Sequence, residues 1–175
     1  MRRAHAAPTV TDMTDLTPAE PYQHGTRVTL DPVPLAVVRH EGVSLDDLRD
    51  LFDDAYPAIG GLLGSGALVP AGPALAVYHG DPQESFDIEI GFPVVEPPDS
   101  PITVGDLQVV AAALPAGPAL VATHLGSYDG LGEAWGRLIQ TANSTPTGDW
   151  IEVYVSDPSD SAADLRTDLL MPVRD

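Results

Sequence analysis

Two rhythms of apolar residues run through this chain, and each occurs twice. At spacings of three and four, Leu45, Leu48, Leu51, Phe52 and Ala55 form one stripe, with Asp46, Asp47, Asp50, Asp53 and Asp54 on the outer side. That period predicts an amphipathic helix, with Ser44 as its N-cap and Pro57 ending or kinking it. Leu131, Ala134, Trp135, Leu138 and Ile139 make the same stripe later, with Ser127 or Asp129 as the cap. The remaining rhythm is that of strands, over 35–40, 74–78, 86–93, 120–124, 150–155 and 165–172. Within 150–155 the side chains alternate, so Trp150, Glu152 and Tyr154 share one face while Ile151, Val153 and Val155 share the other. The aliphatic face is expected to meet the helices. The glycine-rich stretch 60–66 reads as a loop after the first helix, since it lacks the lysine and the strand-to-helix setting of a phosphate loop.

The elements come in the same order in both halves, and short motifs recur with them. His-x-Gly occurs as His40/Gly42 and His124/Gly126, Tyr-x-x-Asp-Pro as Tyr78/Asp81/Pro82 and Tyr154/Asp157/Pro158, and Pro-Val as Pro93/Val94 and Pro172/Val173. The expected fold is therefore α+β: duplicated βαββ units with pseudo-twofold symmetry, forming an antiparallel-rich sheet with helices on one face and a groove between the halves. The first repeat covers about 28–95 and the second about 106–175. Three prolines at 97, 98 and 101 break the chain between them. Residues 1–27 show no period and read as a disordered or loosely attached arm, with Met1 or Met13 as the true start.

Composition narrows the function. Of 175 residues 26 are acidic and 8 basic, a net charge of -18, so no basic surface exists to neutralise a phosphate backbone and no direct nucleic-acid partner is expected. The same charge would enrich cations near a carboxylate-lined cleft. Cysteine is absent, which excludes disulfides, thiolate metal sites and a cysteine nucleophile. No apolar run reaches the roughly 18 residues of a membrane span, and no secretory signal follows Met1, so a cytoplasmic protein without a membrane partner is expected. Oligomeric state is left open.

Chemistry concentrates on the strand 150–155. Two aromatic rings flanking Glu152 suit an organic cation, through ring faces and charge together. The plainer alternative is a solvated face on which Glu152 is exposed. His5, His24, His40, His79 and His124 show no metal-ligand spacing, so no metal and no cofactor is expected. His40 and His124 read as structural, each making a turn hydrogen bond beside its glycine. Asp87 and Glu89 face either the groove or water.

The run Gly126-Ser127-Tyr128 before a helix, Asp149 to Tyr154 followed by Asp157-Pro158, and Leu165-Arg166-Thr167-Asp168 closing on Met171-Pro172-Val173 resembles the C-terminal half of GyrI-like domains. These are also the effector-binding domains of multidrug-sensing transcription regulators. His40-x-Gly42 and Tyr78 with Asp81-Pro82 extend the resemblance over about 28–175. It implies a ligand groove at a pseudo-twofold interface, with Glu152 meeting a hydrophobic, cationic or aromatic molecule. Trp150, Tyr154, Tyr128 and Trp135 become wall residues, with Tyr56 and Phe52 from the opposite half; Trp135 and Phe52 lie on helical apolar stripes and suit the core equally well. The stretch before residue 28 has no helical pattern, so a helix-turn-helix is not expected and a stand-alone sensing or sequestering module is. The resemblance also implies two alternatives. One is a hydrolase of electrophilic, cyclopropane-bearing compounds, with Glu152 and Tyr154 as its catalytic residues. The other is an acidic protein that binds gyrase.

Overall fold

The computed structural model describes residues 18–157 and 160–174. Its strands are β1 (Thr26–Leu30), β2 (Pro34–Val43), β3 (Leu75–Gly80), β4 (Phe86–Pro93), β5 (Ile102–Val104), β6 (Leu107–Ala113), β7 (Gly117–Leu125), β8 (Thr145–Pro146), β9 (Asp149–Tyr154) and β10 (Arg166–Arg174). Two helices, α1 (Leu48–Gly64) and α2 (Leu131–Thr141), follow β2 and β7. All ten strands belong to one sheet, ordered β1-β7-β10-β9-β3-β4-β2-β6-β5, with β8 paired to β10, and every pairing is antiparallel. The fold is α+β.

Pairing registers carry the same offsets as the recurrent motifs. Leu35 faces Pro93 between β2 and β4, and Ala119 faces Pro172 between β7 and β10. The step from Leu35 to Ala119 is the step from His40 to His124, and the step from Pro93 to Pro172 joins the two Pro-Val motifs. Leu75 faces Gly91, and Ile151 faces Leu170; the step from Leu75 to Ile151 is that from Tyr78 to Tyr154. At the seam β3 pairs with β9, and there Ala76 faces Glu152. The same step takes 76 to 152, so this pair is carried onto itself.

Both faces of the sheet are buried, and the face assignment from sequence is corrected. Ala36, Val38, Ala76, Ile88 and Ile90 form one core with Ala55 and Ile59 of α1. Leu120, Ala122, Leu169 and Met171 form another with Ala134 and Leu138 of α2. Trp150 packs against both, so the helices lie on the side of Trp150, Glu152 and Tyr154. Ile151 and Val153 point the other way, into a third core that no helix joins. That core takes Val37 from β2 and Val121 from β7, strands near opposite ends of the sheet. The sheet therefore curls around its aliphatic face and covers it with its own side chains, leaving the helices to the aromatic face.

Helix α1 differs from expectation at its end. It continues through Pro57 to Gly64, so 60–64 is helical and only the residues beyond it form the loop. Leu62 and Leu63 pack against the core, and burial of apolar surface outweighs the weak helix propensity of the glycines. Its entry also differs: Ser44 caps a single 3-10 turn over Leu45–Asp47, where its N–H and hydroxyl donate to the Asp47 carboxylate at 2.8 and 3.1 Å, and α1 itself starts only after Asp47. The segment before β1, from Pro18 onward, is held from the aliphatic side. Arg166 donates to the carbonyls of Ala19 and Glu20, and the Tyr22 N–H donates to Thr123 Oγ1 at 2.8 Å. Arg166 also forks onto the fully buried carboxylate of Asp168, at 3.1 and 2.9 Å, which takes a third bond from the Thr123 hydroxyl. A buried charge is thereby paired and hydrogen-bonded. Residues 1–17 lie outside the described residues, as does Pro158 of the second Asp-Pro motif. Among the described residues no helix is long and apolar enough to cross a membrane.

Candidate functional site

Because β3 and β9 meet at the seam with only Ala76 opposite Glu152, the sheet is shallow there, and α1 and α2 stand on either side of a cleft of about 1750 Å³. Typical small-molecule pockets span roughly 300–1,000 Å³, so this one admits a multi-ring compound. Phe52 and Tyr56 reach it from α1, Trp135 from α2, Tyr128 from the turn before α2, and Trp150, Glu152 and Tyr154 from β9. All seven residues singled out in the sequence thus line one cleft, including Phe52 and Trp135, whose helical stripes also suited them to the core.

Glu152 is only 7% exposed, which disposes of the solvated-face alternative. Its Oε1 accepts from Trp135 Nε1 at 2.9 Å, and its Oε2 accepts from the Tyr154 hydroxyl at 2.7 Å and the Tyr78 hydroxyl at 3.3 Å. Burial pushes its pKa above the ordinary carboxylate value, while the donors Tyr154, Trp135 and Tyr78 and the charge of His124 pull back part of that rise. The same burial, reinforced by the Glu152 charge, drives the hydroxyls of Tyr154, Tyr78 and Tyr56 well above their ordinary range. Those tyrosines stay neutral donors at physiological pH.

The rings fall into two groups. Phe52 stacks on Tyr56 with centroids 5.7 Å apart, and Tyr154 meets the edges of Phe52, Tyr56 and Tyr128 at 6.0, 6.4 and 5.9 Å. On the other side Trp135 and Trp150 meet edge to face at 5.6 Å. Such contacts hold the rings in place without a ligand. Tyr56 is further fixed by donation to the Leu75 carbonyl at 3.0 Å, and Trp150 by donation to the Gly80 carbonyl at 2.7 Å. Around the mouth stand Asp53, Asp81, Asp129 and Asp157, with Arg49 as the cation among them. Three apolar side chains at the mouth, Leu45, Tyr128 and Ile139, are 40–53% exposed.

Tyr78 escaped the reading from sequence, yet the repeat pointed to it, since it occupies the position of Tyr154. Asp87 and Glu89 are on the far side of the sheet: Asp87 accepts from the Gly42 N–H at 3.0 Å and Glu89 is bound to His79 at 2.6 Å. His124 makes the expected turn bond, from Nε2 to the Ser127 carbonyl at 2.7 Å, whereas His40 Nε2 is buried without a partner. Among the described residues no group of side chains is arranged to hold a metal ion.

Residues 26–174 match the family described as the GyrI-like small molecule binding domain. Among solved structures, the EcmrR C-terminal domain is 18% identical with a TM-score of 0.69, over 86% of this chain and 97% of that one. In the EcmrR–DNA complex the corresponding match, at TM-score 0.67 and again 18% identity over 86% of this chain, spans 57% of the EcmrR chain. The protein SAV2435 bound to tetraphenylphosphonium is 12% identical with a TM-score of 0.62, over 87% and 94% of the two chains. A hydrolase from Listeria innocua is 15% identical with a TM-score of 0.57, over 89% and 94%. No curated protein matches the sequence significantly.

Proposed function

The chain belongs to the GyrI-like family of small-molecule-binding domains, and from that premise we propose that its cleft takes a hydrophobic, aromatic cation, with Glu152 as the charge partner. The observation that carries this reading is a carboxylate buried among rings with no cation of the described residues bound to it. An ionised carboxylate out of water costs several kcal/mol unless a positive charge repays it, and ring faces attract that charge as well. Three of the roughly four acceptor positions of Glu152 are already taken. A ligand that offers charge rather than N–H donors needs no rearrangement of them. The tetraphenylphosphonium seen with SAV2435 is a compound of that kind.

The test is calorimetric titration with tetraphenylphosphonium and with neutral triphenylphosphine oxide. Glu152→Gln is expected to weaken the cation at least about tenfold and to change the oxide less than about twofold. Equal weakening of both would reject Glu152 as a charge partner.

A second reading is hydrolysis of an electrophile. The observation favouring it is the 2.7 Å bond between Tyr154 and Glu152. The carboxylate, its pKa raised by burial, would accept a proton from attacking water while a neutral tyrosine hydroxyl donates to the group that gains negative charge. Product formed from a cyclopropane-bearing alkylator and lost in Glu152→Gln would establish this reading; binding without turnover would reject it.

A further inference from the structure

On the face of the sheet away from the cleft, His79 of β3 stands between two carboxylates. Its Nδ1 is 2.6 Å from Asp149 Oδ1 on β9, and its Nε2 is 2.6 Å from Glu89 Oε1 on β4. This one ring therefore ties three strands across the seam beneath the cleft. The neighbouring residues serve the cleft directly. Tyr78 donates to Glu152, and Gly80 accepts from Trp150 Nε1 through its carbonyl and donates through its N–H to the Gly148 carbonyl at 2.9 Å. Asp149, the residue His79 holds, immediately precedes Trp150.

Asymmetry makes the arrangement informative. The step that takes Tyr78 to Tyr154 takes Ala74 to Trp150, Pro73 to Asp149 and His79 to Val155. At the far end of the seam the Tyr154 N–H donates to the Ala74 carbonyl at 2.9 Å, but the side chains there are alanine, proline and valine. The ionic clasp occurs only at the end of the seam where a tryptophan enters the cleft.

Resting on the binding role argued above, we infer that His79 is a positioning residue, which clasps β9 to β3 from behind the sheet and so holds Trp150 in the cleft wall. Titratable side chains face it from both neighbouring strands. Glu89 and Asp87 face it from β4 and Asp149 from β9, and Arg39 of β2, which lies opposite Glu89, reaches Glu41 at 3.9 Å. Hydrogen bonding to Glu89, then to Asp149, raises the His79 pKa to about 9 against the opposing effect of burial. The clasp is thus ionic at neutral pH, and it loses its charge and one of its two donor bonds when the ring loses its proton. No lysine occurs in the chain, and the tyrosines of the cleft titrate higher, so among the groups of the seam and cleft it is His79 that titrates near pH 9.

The experiment measures tetraphenylphosphonium affinity for the wild type, His79→Gln, Trp150→Ala and the double variant, from neutral pH to beyond pH 9. His79→Gln should weaken the probe about threefold to tenfold at neutral pH, and by less than about twofold in the Trp150→Ala background. Wild-type affinity should fall toward the His79→Gln value as pH passes about 9, with the variant flat over that range. Full loss in both backgrounds, or wild-type affinity in His79→Gln, would overturn the inference. A ligand-free reading keeps it separate from the binding role: in a Trp135→Phe protein, Trp150 emission should shift near pH 9, and adding His79→Gln should abolish the shift. Binding failure of the wild type would reject the role of the cleft, and an unshifted emission would reject the clasp.

Discussion

A carboxylate buried among rings is a liability to the empty protein. Folding raises the pKa of Glu152 above its unfolded value, so the folded state resists ionisation, and stability is lost as pH climbs through and beyond the ordinary carboxylate range. Glu152→Gln should therefore raise the melting temperature of the ligand-free protein at neutral pH, by about 2–4 °C per kcal/mol recovered, while weakening the cation. A lower melting temperature in the variant would show that the three donors more than repay the buried charge. His79 works in the opposite sense. Its folded pKa of about 9 exceeds the unfolded 6.5, so its contribution is complete below pH 6.5 while its carboxylates stay ionised, and it disappears as pH rises through about 9. Discounted for solvent, that contribution is on the order of 1–2 kcal/mol. The gap between the urea midpoints of the wild type and His79→Gln should accordingly close between neutral pH and pH 10, because the loss from the buried tyrosines over that range is common to both proteins.

Elements explain why two glycines tolerate substitution so differently. A Cβ on Gly91 of β4 would stand 2.0 Å from the Ala36 carbonyl oxygen and 2.8 Å from Val37 Cα, both backbone atoms of β2. Gly91→Ala should cost about 3 kcal/mol or unfold the chain. Gly61 of α1 has open space around it, and Gly61→Ala should add about 0.5–1 kcal/mol, readable in a urea titration. The longer strands and the helices were legible because their apolar periods are long, and Glu152 with its aromatic neighbours was legible because residues two apart on a strand share a face. What alternation does not tell is which face the helices cover. Ile151 and Val153 looked made for helices, yet the sheet covers them by curling, and curvature is a property of all its strands together. Short strands such as β1, β5 and β8 carry too few residues to show a period. The bonds of His79 were hidden for a related reason: its partner Asp149 lies 70 positions away and is brought close only by strand pairing.

At the scale of the whole molecule, the charge of -18 acts on whatever approaches. Asp53, Asp81, Asp129 and Asp157 at the mouth extend that field toward solvent, where salt screens it over about 10 Å at 0.1 M. The association rate of tetraphenylphosphonium should fall about tenfold between low and high salt, with little change in its dissociation rate, because Glu152 lies beneath the screened layer. Stopped-flow quenching of the two tryptophans would show it, and triphenylphosphine oxide should show no such dependence. The pairing of Ala76 with Glu152 has a wider meaning. Two identical subunits meeting at such a seam must place the same residue on both strands, and two glutamates side by side would share a proton rather than both ionise. One continuous chain escapes that constraint: positions 76 and 152 can change independently, so the seam can hold a single unmatched charge.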